Sequence, residues 1–504
     1  MTPPLSDDER TLAGLGYQQE LHRGLGAFSN FALSLSIICI LAGGVTSFHV
    51  GLCSVGGAAI GVGWPLGCLF SLVVALAMAQ IASAYPTAGG LYHWASILGG
   101  RFWGWVAAWF NLAGLVTVLA AINVGTYETA VASLAKPAGL DPDTLGPWKV
   151  AVQAAVVLVI TAAQAFINHR GIRLTSRLTD FSGWWILFLS VALTLALIFH
   201  TSSPDFTRLW AFENFSGLPP GDDAVWPEQS SLPWLLLLGL LLPAYTVTGF
   251  DASAHASEET VHAAARVPRG IVQSVVVSGV FGWVMLCAVV LAAPDLRAAA
   301  GEGKDAFFNI VRASLPGWLA WPVLVGIVVA QLLCGLATVT SASRMLFAFA
   351  RDGGVPFSAA LRHVNPTFRV PVAAIWTVSL VAVAFTVWTP VYATITAVCS
   401  VLLYVSYVIP ITLGLFALGR TWTRLGPWSL GPWYRPLAVI AILGCGLLFV
   451  IAVQPPNEQA MVSFAAFAAA LAAFWIGVER KRFRGPPAVT ESSGIASTPA
   501  PSPG

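Results

Sequence analysis

Long runs of apolar residues cover most of this chain and constrain its fold more than any other feature. A helix needs about 20 apolar residues to cross the hydrocarbon core of a bilayer, whereas a barrel strand is about 10 residues of alternating polarity. The runs therefore predict helices. Twelve of them can be delimited: 28–55, 66–84, 102–132, 149–168, 181–200, 232–257, 271–293, 319–345, 371–389, 391–418, 435–453 and 460–478.

The composition excludes a water-soluble fold. Of the 504 residues, 57% are hydrophobic and only 10% are charged, whereas soluble domains carry about 25% charged residues. The seven cysteines are scattered through apolar sequence without ligand spacing, which indicates buried apolar residues. We therefore predict an all-α membrane protein with twelve transmembrane helices. The first 25 residues are polar, so the first apolar run is a span rather than a cleaved signal.

The basic residues predict the orientation of the chain. If the N-terminus is cytoplasmic, 19 of the 25 lysine and arginine residues fall in inside segments and 6 in outside segments. This bias predicts that both termini face the cytoplasm, with the protein integral to the cytoplasmic (plasma) membrane. Residues 1–27 then form a cytoplasmic N-terminal segment, and 479–504, rich in proline and serine, form a disordered cytoplasmic tail.

Two of the apolar runs have a polar or glycine-containing centre. The first is interrupted around Gly43 and Gly44, and the sixth contains Pro243, Thr248 and Asp251. Lipid cannot satisfy freed backbone groups, so a broken helix is tolerated only where protein or a water-filled cavity surrounds it. Close helix packing is the alternative explanation for the paired glycines.

The two interruptions are offset by five spans, which is an odd number, so the second group of five would be inverted relative to the first. Interrupted helices at corresponding places in two halves indicate a transporter site under an inverted repeat. We see no residue-level identity between the halves. The predicted division is a first five-helix repeat at 28–200, a second at 232–418 and two additional helices at 435–478.

Helix ends at these breaks suit a zwitterion. The second half of span 1 is predicted to begin near Val45, and its free N–H groups and positive dipole end favour a carboxylate. The first half of span 6 is predicted to end near Val247, where free carbonyl groups favour an ammonium group. Together the breaks predict a site for a small zwitterionic amine such as an amino acid or GABA.

Four stretches carry a resemblance to a known superfamily. They are FSNFALSLSIICILAGG in span 1, MAQIASAYPTAGGLYHWA at 78–95, GFDASAHASEET at 249–260 with the following ARVPRGI, and TSASRMLFAFARDGGVPFSAALRHVNP at 340–366. The chain resembles the amino acid–polyamine–organocation superfamily, and within it the amino acid/choline/GABA permease branch. The resemblance implies a leucine-transporter-like 5+5 inverted repeat plus two helices, with helices 1 and 6 discontinuous. It also implies secondary active uptake by alternating access.

The resemblance also implies the positions of the substrate contacts. In the first break they are Ala42, Gly43, Gly44, Val45 and Thr46; in the second they are Thr248, Gly249, Phe250 and Asp251. Tyr245 and Phe250 are candidates for aromatic contact with a substrate cation and for gating; the alternative is that they are core residues. Asp251 is either an N-cap of the second half-helix or a partner for the substrate amine or a coupling proton.

The coupling ion, H⁺ or Na⁺, is open. Some proton-coupled relatives place a lysine in span 5, and this span has none. Thr338 and Ser341 in span 8, with Thr340, are candidates for a sodium site, although such hydroxyl groups commonly bond the carbonyl four residues earlier. No nucleotide-binding or catalytic motif is present, so we predict neither a cofactor nor an enzyme.

The cytoplasmic end of span 6 carries two acids. We expect Glu258 and Glu259 to reach the cytoplasmic surface at the level of Arg344 and Arg351, where one pair closes an inner gate; a solvated charge patch is the alternative. The predicted partners are a small-molecule substrate and the bilayer, without nucleic acid, and the oligomeric state is open. Alternative functions are transport of choline- or polyamine-type cations, a channel, and a membrane enzyme.

Overall fold

The computed structural model describes residues 6–389 and 392–487, and these residues are almost entirely helical. They contain no strand, only isolated bridges between Leu25 and Thr260 and between Leu418 and Trp422. The all-α prediction is therefore confirmed for the described part of the chain. The predicted disordered tail, 479–504, begins too early: residues 479–487 are described and include a helical turn at Arg480–Arg482 and the buried Phe483. From residue 488 onward the predicted tail lies outside the described residues.

Ten helical segments are long and apolar enough to cross a membrane. They are Ala27–Thr46, Ala59–Ala84, Arg101–Ala138, Thr144–His169, Ile172–His200, Ala263–Ala292, Gly317–Arg351, Tyr392–Ala417, Gly431–Ala452 and Glu458–Arg482. Two shorter apolar helices, Leu232–Thr246 and Val372–Trp388, fall on the sixth and ninth predicted runs. Each of the twelve runs thus coincides with an apolar helix.

The first half of the chain begins with a short helix and continues with the helices of predicted spans 1 to 5. Its α-helices are α1 Asp7–Ala13, α2 Ala27–Ile38, α3 Gly43–Thr46, α4 Phe48–Val55, α5 Trp64–Ala84, α6 Leu91–Gly99, α7 Arg101–Ala130, α8 Lys149–His169 and α9 Ile172–His200. Short segments of wider or tighter helix connect or extend them at Ala59–Gly63, Val131–Ala135, Lys136–Ala138 and Pro142–Trp148.

The second half holds the helices of predicted spans 6 to 12 and several short connecting helices. Its α-helices are α10 Leu232–Gly239, α11 Leu241–Thr246, α12 Ala252–His255, α13 Ala263–Ala292, α14 Leu296–Gly301, α15 Ala306–Ser314, α16 Gly317–Arg351, α17 Ser358–Leu361, α18 Val372–Trp388, α19 Tyr392–Ala417, α20 Tyr434–Ala452, α21 Glu458–Phe474 and α22 Arg480–Arg482. Single turns occur at Phe206–Leu209, Ser257–Glu259, Gly303–Asp305, Gly431–Trp433 and Trp475–Glu479.

Burial distinguishes central from peripheral helices. Most of α2, α7 and α16 is buried on all sides, whereas α8, α9 and α21 expose large apolar side chains along one face. Phe199 and Trp388 are more than four-fifths exposed. An apolar surface of this extent is unsuited to water and suits contact with lipid.

The polar segments gather at two ends of the bundle. At the end we call the Lys304 end, Arg312 donates to the carbonyl of Ala132 at 2.7 Å, and Lys136 lies 3.6 Å from Asp305. At the other, which we call the Glu258 end, the N-terminal segment and the segment after α22 pack on the loops that join the spans. Segments that the distribution of basic residues assigns to the same side of the membrane therefore lie at the same end of the bundle.

Both predicted interruptions are present. Helix α2 ends at Ile38 and α3 starts at Gly43, so the first break occupies residues 39–42. The second break occupies residues 247–251, between α11 and α12. The prediction that helix resumes near Val45 is two residues late, because Gly43 and Gly44 both lie within the first turn of the second half-helix.

Candidate functional site

The two breaks touch each other in the middle of the bundle. A Cβ atom on Gly43 would lie 2.8 Å from Cα of Thr246, and one on Gly249 would lie 2.3 Å from Cγ2 of Ile37. Gly249 also has a φ of +83°, a conformation that favours glycine. Close packing therefore accounts for Gly43. Gly44 has more room, since its Cβ would be 3.6 Å from Trp64.

Polar side chains of α2 hold the second break in place. The Ser34 hydroxyl donates to the carbonyl of Phe250 at 2.9 Å and accepts from the N–H of Ser253 at 2.9 Å. The Asn30 amide donates to the carbonyl of Ser253 at 3.0 Å. The side chains of one broken helix thus satisfy backbone groups freed in the other, as a break at membrane depth requires.

Other freed backbone groups have no partner within the described chain. In the first break these include the N–H groups of Ile40, Leu41 and Gly44 and the carbonyl group of Ile40. In the second they include the carbonyl groups of Val247 and Thr248 and the N–H groups of Thr248, Phe250 and Asp251. Each break therefore has both donors and acceptors without a partner, and the two breaks are in contact. Free N–H groups suit a carboxylate, and free carbonyl groups suit an ammonium group.

Asp251 is fully buried, and its side chain does not cap α12. Its carboxylate instead accepts from the Asn111 amide at 2.9 Å and from the Tyr407 hydroxyl at 2.8 Å, and lies 3.2 Å from Nε2 of His255. Asp251 occupies the N-cap position of α12 as the sequence suggests, but its side chain forms no capping bond, because partners from α7 and α19 turn it away from the helix start. Asn111 is therefore an interhelical hydrogen-bond partner of Asp251.

The aromatic candidates separate into two kinds. Phe250 is fully buried with its ring centroid 5.0 Å from that of Tyr407, so it packs as a core residue. The Tyr245 hydroxyl accepts from Tyr392 at 3.3 Å, and Tyr392 lies 2.5 Å from the Thr46 hydroxyl. Thr46, Tyr392 and Tyr245 therefore form a row that joins the two broken helices to α19.

A cavity of about 650 Å³ lies on the Lys304 side of this row. Ser47 and Tyr245 line it from the two broken helices, and Lys304 and Asp305 line it from the Lys304 end. The remaining candidates at the breaks have local partners: the Thr248 hydroxyl bonds the Tyr245 carbonyl at 2.8 Å. Ala42 and Val45 are buried beside them.

Glu258 and Glu259 do not reach the surface, contrary to the sequence prediction: both are fully buried. Glu258 forms a two-point ion pair with Arg351 at 2.8 and 3.0 Å, and Glu259 forms one with Arg344 at 3.1 Å for both contacts. The alternative of a solvated charge patch is therefore wrong. All four predicted gate residues come together in two buried pairs.

The N-terminal segment covers these ion pairs. Gln19 donates to the carbonyl of Glu258 at 2.8 Å, and Arg23 to that of Thr260 at 2.6 Å. The guanidinium carbon of Arg351 lies 4.0 Å from the ring centroid of Tyr17, a cation–π contact. The N-terminal segment therefore buries Glu258 and Glu259. Nothing in the local sequence around these two acids indicates that burial.

A second polar cluster lies beside the first. The Tyr17 hydroxyl donates to Asp352 at 2.7 Å, and His93 and Tyr92 contact the same carboxylate oxygen. Burial and the neighbouring Asp352 raise the pKa of Tyr17 well above its ordinary value, so the phenol keeps its proton. The cluster thus ties the N-terminal segment to the end of α16.

The candidate sodium ligands lie on α16, which reaches the first break through a 3.0 Å bond from Gln331 to the carbonyl of Leu41. Thr338 bonds the carbonyl of Cys334 at 2.9 Å, four residues earlier, and Thr340 bonds Asn168 at 2.7 Å. The Ser341 hydroxyl is buried without a hydrogen-bond partner in the described chain. No group of three histidine, cysteine or acidic residues suited to a metal occurs among the described residues.

Three contributors to these clusters were missed from the sequence. His255 follows Asp251 by four residues, a spacing that places both on one helix face and could have revealed it. Tyr407 and Tyr392 approach from α19, more than 140 residues away in the chain, and no local signal indicates their partners.

A bundle of apolar helices with two contacting breaks at its centre is the architecture of a membrane transport protein. The family model described as amino acid permease matches residues 25–478. The chain therefore belongs to the amino acid permease family, within the amino acid–polyamine–organocation superfamily. It is a transporter and not an enzyme.

The chain is similar over nearly its whole length to named amino-acid permeases. Amino-acid permease BAT1 of Arabidopsis thaliana is 31% identical, with 96% of this chain and 97% of that protein covered. The amino-acid permease BAT1 homolog of Oryza sativa subsp. japonica is 30% identical over 85% of this chain and 86% of its own. An uncharacterized amino-acid permease of Schizosaccharomyces pombe is 27% identical over 98% and 89%.

Proposed function

We propose that this permease takes up an amino acid or a related small zwitterionic amine, such as GABA, by secondary active transport. The observation that carries the proposal is that two contacting breaks both leave backbone groups unbonded within the described chain, among them three N–H groups at the first break and two carbonyl groups at the second. These groups hold the carboxylate and the ammonium group of the substrate between spans 1 and 6. Breaks of this kind at corresponding positions support an inverted-repeat transporter.

The proposed topology has twelve crossings, two inverted repeats of five and two additional helices in the plasma membrane. Both termini and the Glu258 end face the cytoplasm, in keeping with the excess of basic residues in those segments. The Lys304 end faces outside. The oligomeric state is left open.

Alternating access then uses two barriers. The ion pairs of Glu258 with Arg351 and of Glu259 with Arg344, under the N-terminal segment, close the cytoplasmic side. The row of Thr46, Tyr392 and Tyr245 separates the breaks from the outer cavity. The cytoplasmic side is closed and a cavity lies on the other side, which corresponds to an outward-facing state. In this state the row of Thr46, Tyr392 and Tyr245 still shuts the breaks off from the cavity.

An ion gradient, of H⁺ or Na⁺, drives accumulation in this proposal. For sodium, the candidate ligands are Thr338 and the unpartnered hydroxyl of Ser341, which lie on the helix that packs against the first break. The uptake test therefore applies a sodium gradient and a proton gradient separately.

The test is uptake in proteoliposomes. A competition panel of the protein amino acids, GABA and choline is applied under separate sodium and proton gradients. Saturable, gradient-dependent uptake of a zwitterion, inhibited by other zwitterions and not by choline, is the expected result. Preference for choline would assign the organic-cation alternative, and current proportional to voltage without saturation would assign a channel; either refutes the proposal.

A further inference from the structure

A histidine in α12 faces the aspartate at the end of the second break, and both side chains are fully buried. Nε2 of His255 lies 3.2 Å from Oδ2 of Asp251, and Nδ1 of His255 lies 3.1 Å from the carbonyl oxygen of Ala88. A carbonyl oxygen only accepts, so Nδ1 carries a hydrogen. The protonation state of the pair therefore depends on whether a hydrogen lies between Nε2 of His255 and the carboxylate of Asp251.

One proton belongs between the two side chains. Without it, a nitrogen lone pair and a carboxylate oxygen would face each other at 3.2 Å in a fully buried site, which is repulsive. With it, the pair has no net charge, whether the proton resides on the imidazole or on the carboxyl group. Asn111 and Tyr407 donate to Asp251 in both cases, so the surroundings accept either position.

We propose that the pair of Asp251 and His255 carries the proton that is transported with the substrate. This rests on the proposed transport function and replaces its open choice of ion with a site. The proton is bound in the conformation described here, and its loss leaves a net negative charge that this buried environment does not compensate. Deprotonation therefore favours a different arrangement of the second break.

Ala88 connects this proton to the closed cytoplasmic side. Its carbonyl accepts from His255, and its N–H donates to Glu258 at 3.1 Å. Glu258 in turn forms the ion pair with Arg351. A shift of His255 on deprotonation thus removes a bond to the same residue that positions Glu258, which links release of the proton to opening of the Glu258 end.

The groups that surround the pair come from four elements. Helix α19 contributes the titratable Tyr407, α7 the neutral Asn111, and the turn before α6 the backbone of Ala88. Helix α2 presents the neutral Ser34 beside the break. His93, on α6, is engaged by Thr87, Tyr17 and Asp352 rather than by the pair. No described lysine or arginine forms a hydrogen bond or ion pair with Asp251 or His255.

The first experiment measures uptake of a mixture of tritium-labelled protein amino acids and GABA into proteoliposomes, with and without an inward proton gradient. One pH unit corresponds to about tenfold accumulation for one proton per substrate. We expect this ratio in the wild type and a ratio near unity in Asp251→Asn and His255→Gln. Asp180→Asn, on α9, is the matched control and keeps the wild-type ratio.

A structural role gives a different result: uptake falls in both variants while the ratio with and without the gradient persists. That outcome overturns the proposal, as does a wild-type protein that responds to a sodium gradient only.

The second experiment needs no substrate. Infrared difference spectra of the reconstituted protein between acid and alkaline pH report carboxyl and imidazole protonation. Bands lost in Asp251→Asn and His255→Gln support the proton site; identical spectra in wild type and variants overturn it. If no compound of the mixture is taken up while these bands are present, the proposed function fails and the proton site stands.

Discussion

The ion pair between Glu258 and Arg351 offers the sharpest test of the cytoplasmic barrier. In Arg351→Gln, Glu258 stays fully buried but loses a two-point partner, keeping only the N–H of Ala88. Removing one member of a buried ion pair costs about 3–5 kcal/mol, because an uncompensated charge remains. If the ion pair stabilises only the closed state, the population of the closed state relative to the open state falls by a factor of about 10²–10⁴.

Chemical labelling reads out this shift. Ser257, next to Glu258, is buried, and a cysteine there reacts only when the barrier opens. In a background without the seven native cysteines, Ser257→Cys is exposed to a membrane-impermeant maleimide in inside-out vesicles. We expect Arg351→Gln to raise the labelling rate by at least an order of magnitude. The exposed Arg269→Gln is the control and labels like the parent.

A second arm exchanges the charges. The double variant Glu258→Arg with Arg351→Glu restores the attraction and should return labelling toward the parent rate, since coupled neighbours are not additive. The reasoning is refuted if Arg351→Gln labels at the parent rate, or if the two reversals cause independent, additive losses of transport.

Three further predictions concern the breaks and the N-terminal segment. Gly249→Ala should abolish transport and lower the melting temperature, because its Cβ would lie 2.3 Å from a carbon of α2 at a φ of +83°; Gly446→Ala, with open space around it, should not. Tyr392→Phe removes the hydroxyl from the row facing the outer cavity and should speed labelling of a cysteine in the breaks from outside. Tyr434→Phe is its control, since that hydroxyl has no described partner. Asp8→Ala removes two bonds to the start of α13 and should cost about 0.5–2 kcal/mol in the closed state, seen as faster hydrogen exchange there.

The sequence by itself determined the helices and the two interruptions. Apolar runs, glycines and isolated polar residues act on the chain locally, since lipid forces each segment to satisfy its own backbone. For the same reason, the positions of the breaks could be predicted from the sequence to within a few residues. Gly43 and Gly249 mark them because only glycine permits the close approach observed there.

The tertiary structure decided which side chains meet. Asp251 looked like a helix cap, and only the packing of α7 and α19 turned it toward Asn111 and Tyr407. Glu258 and Glu259 looked exposed, and the N-terminal segment buries them from more than 230 residues away. Such contacts depend on how helices pack and on long-range chain folding. Neither can be predicted from a local pattern of residues.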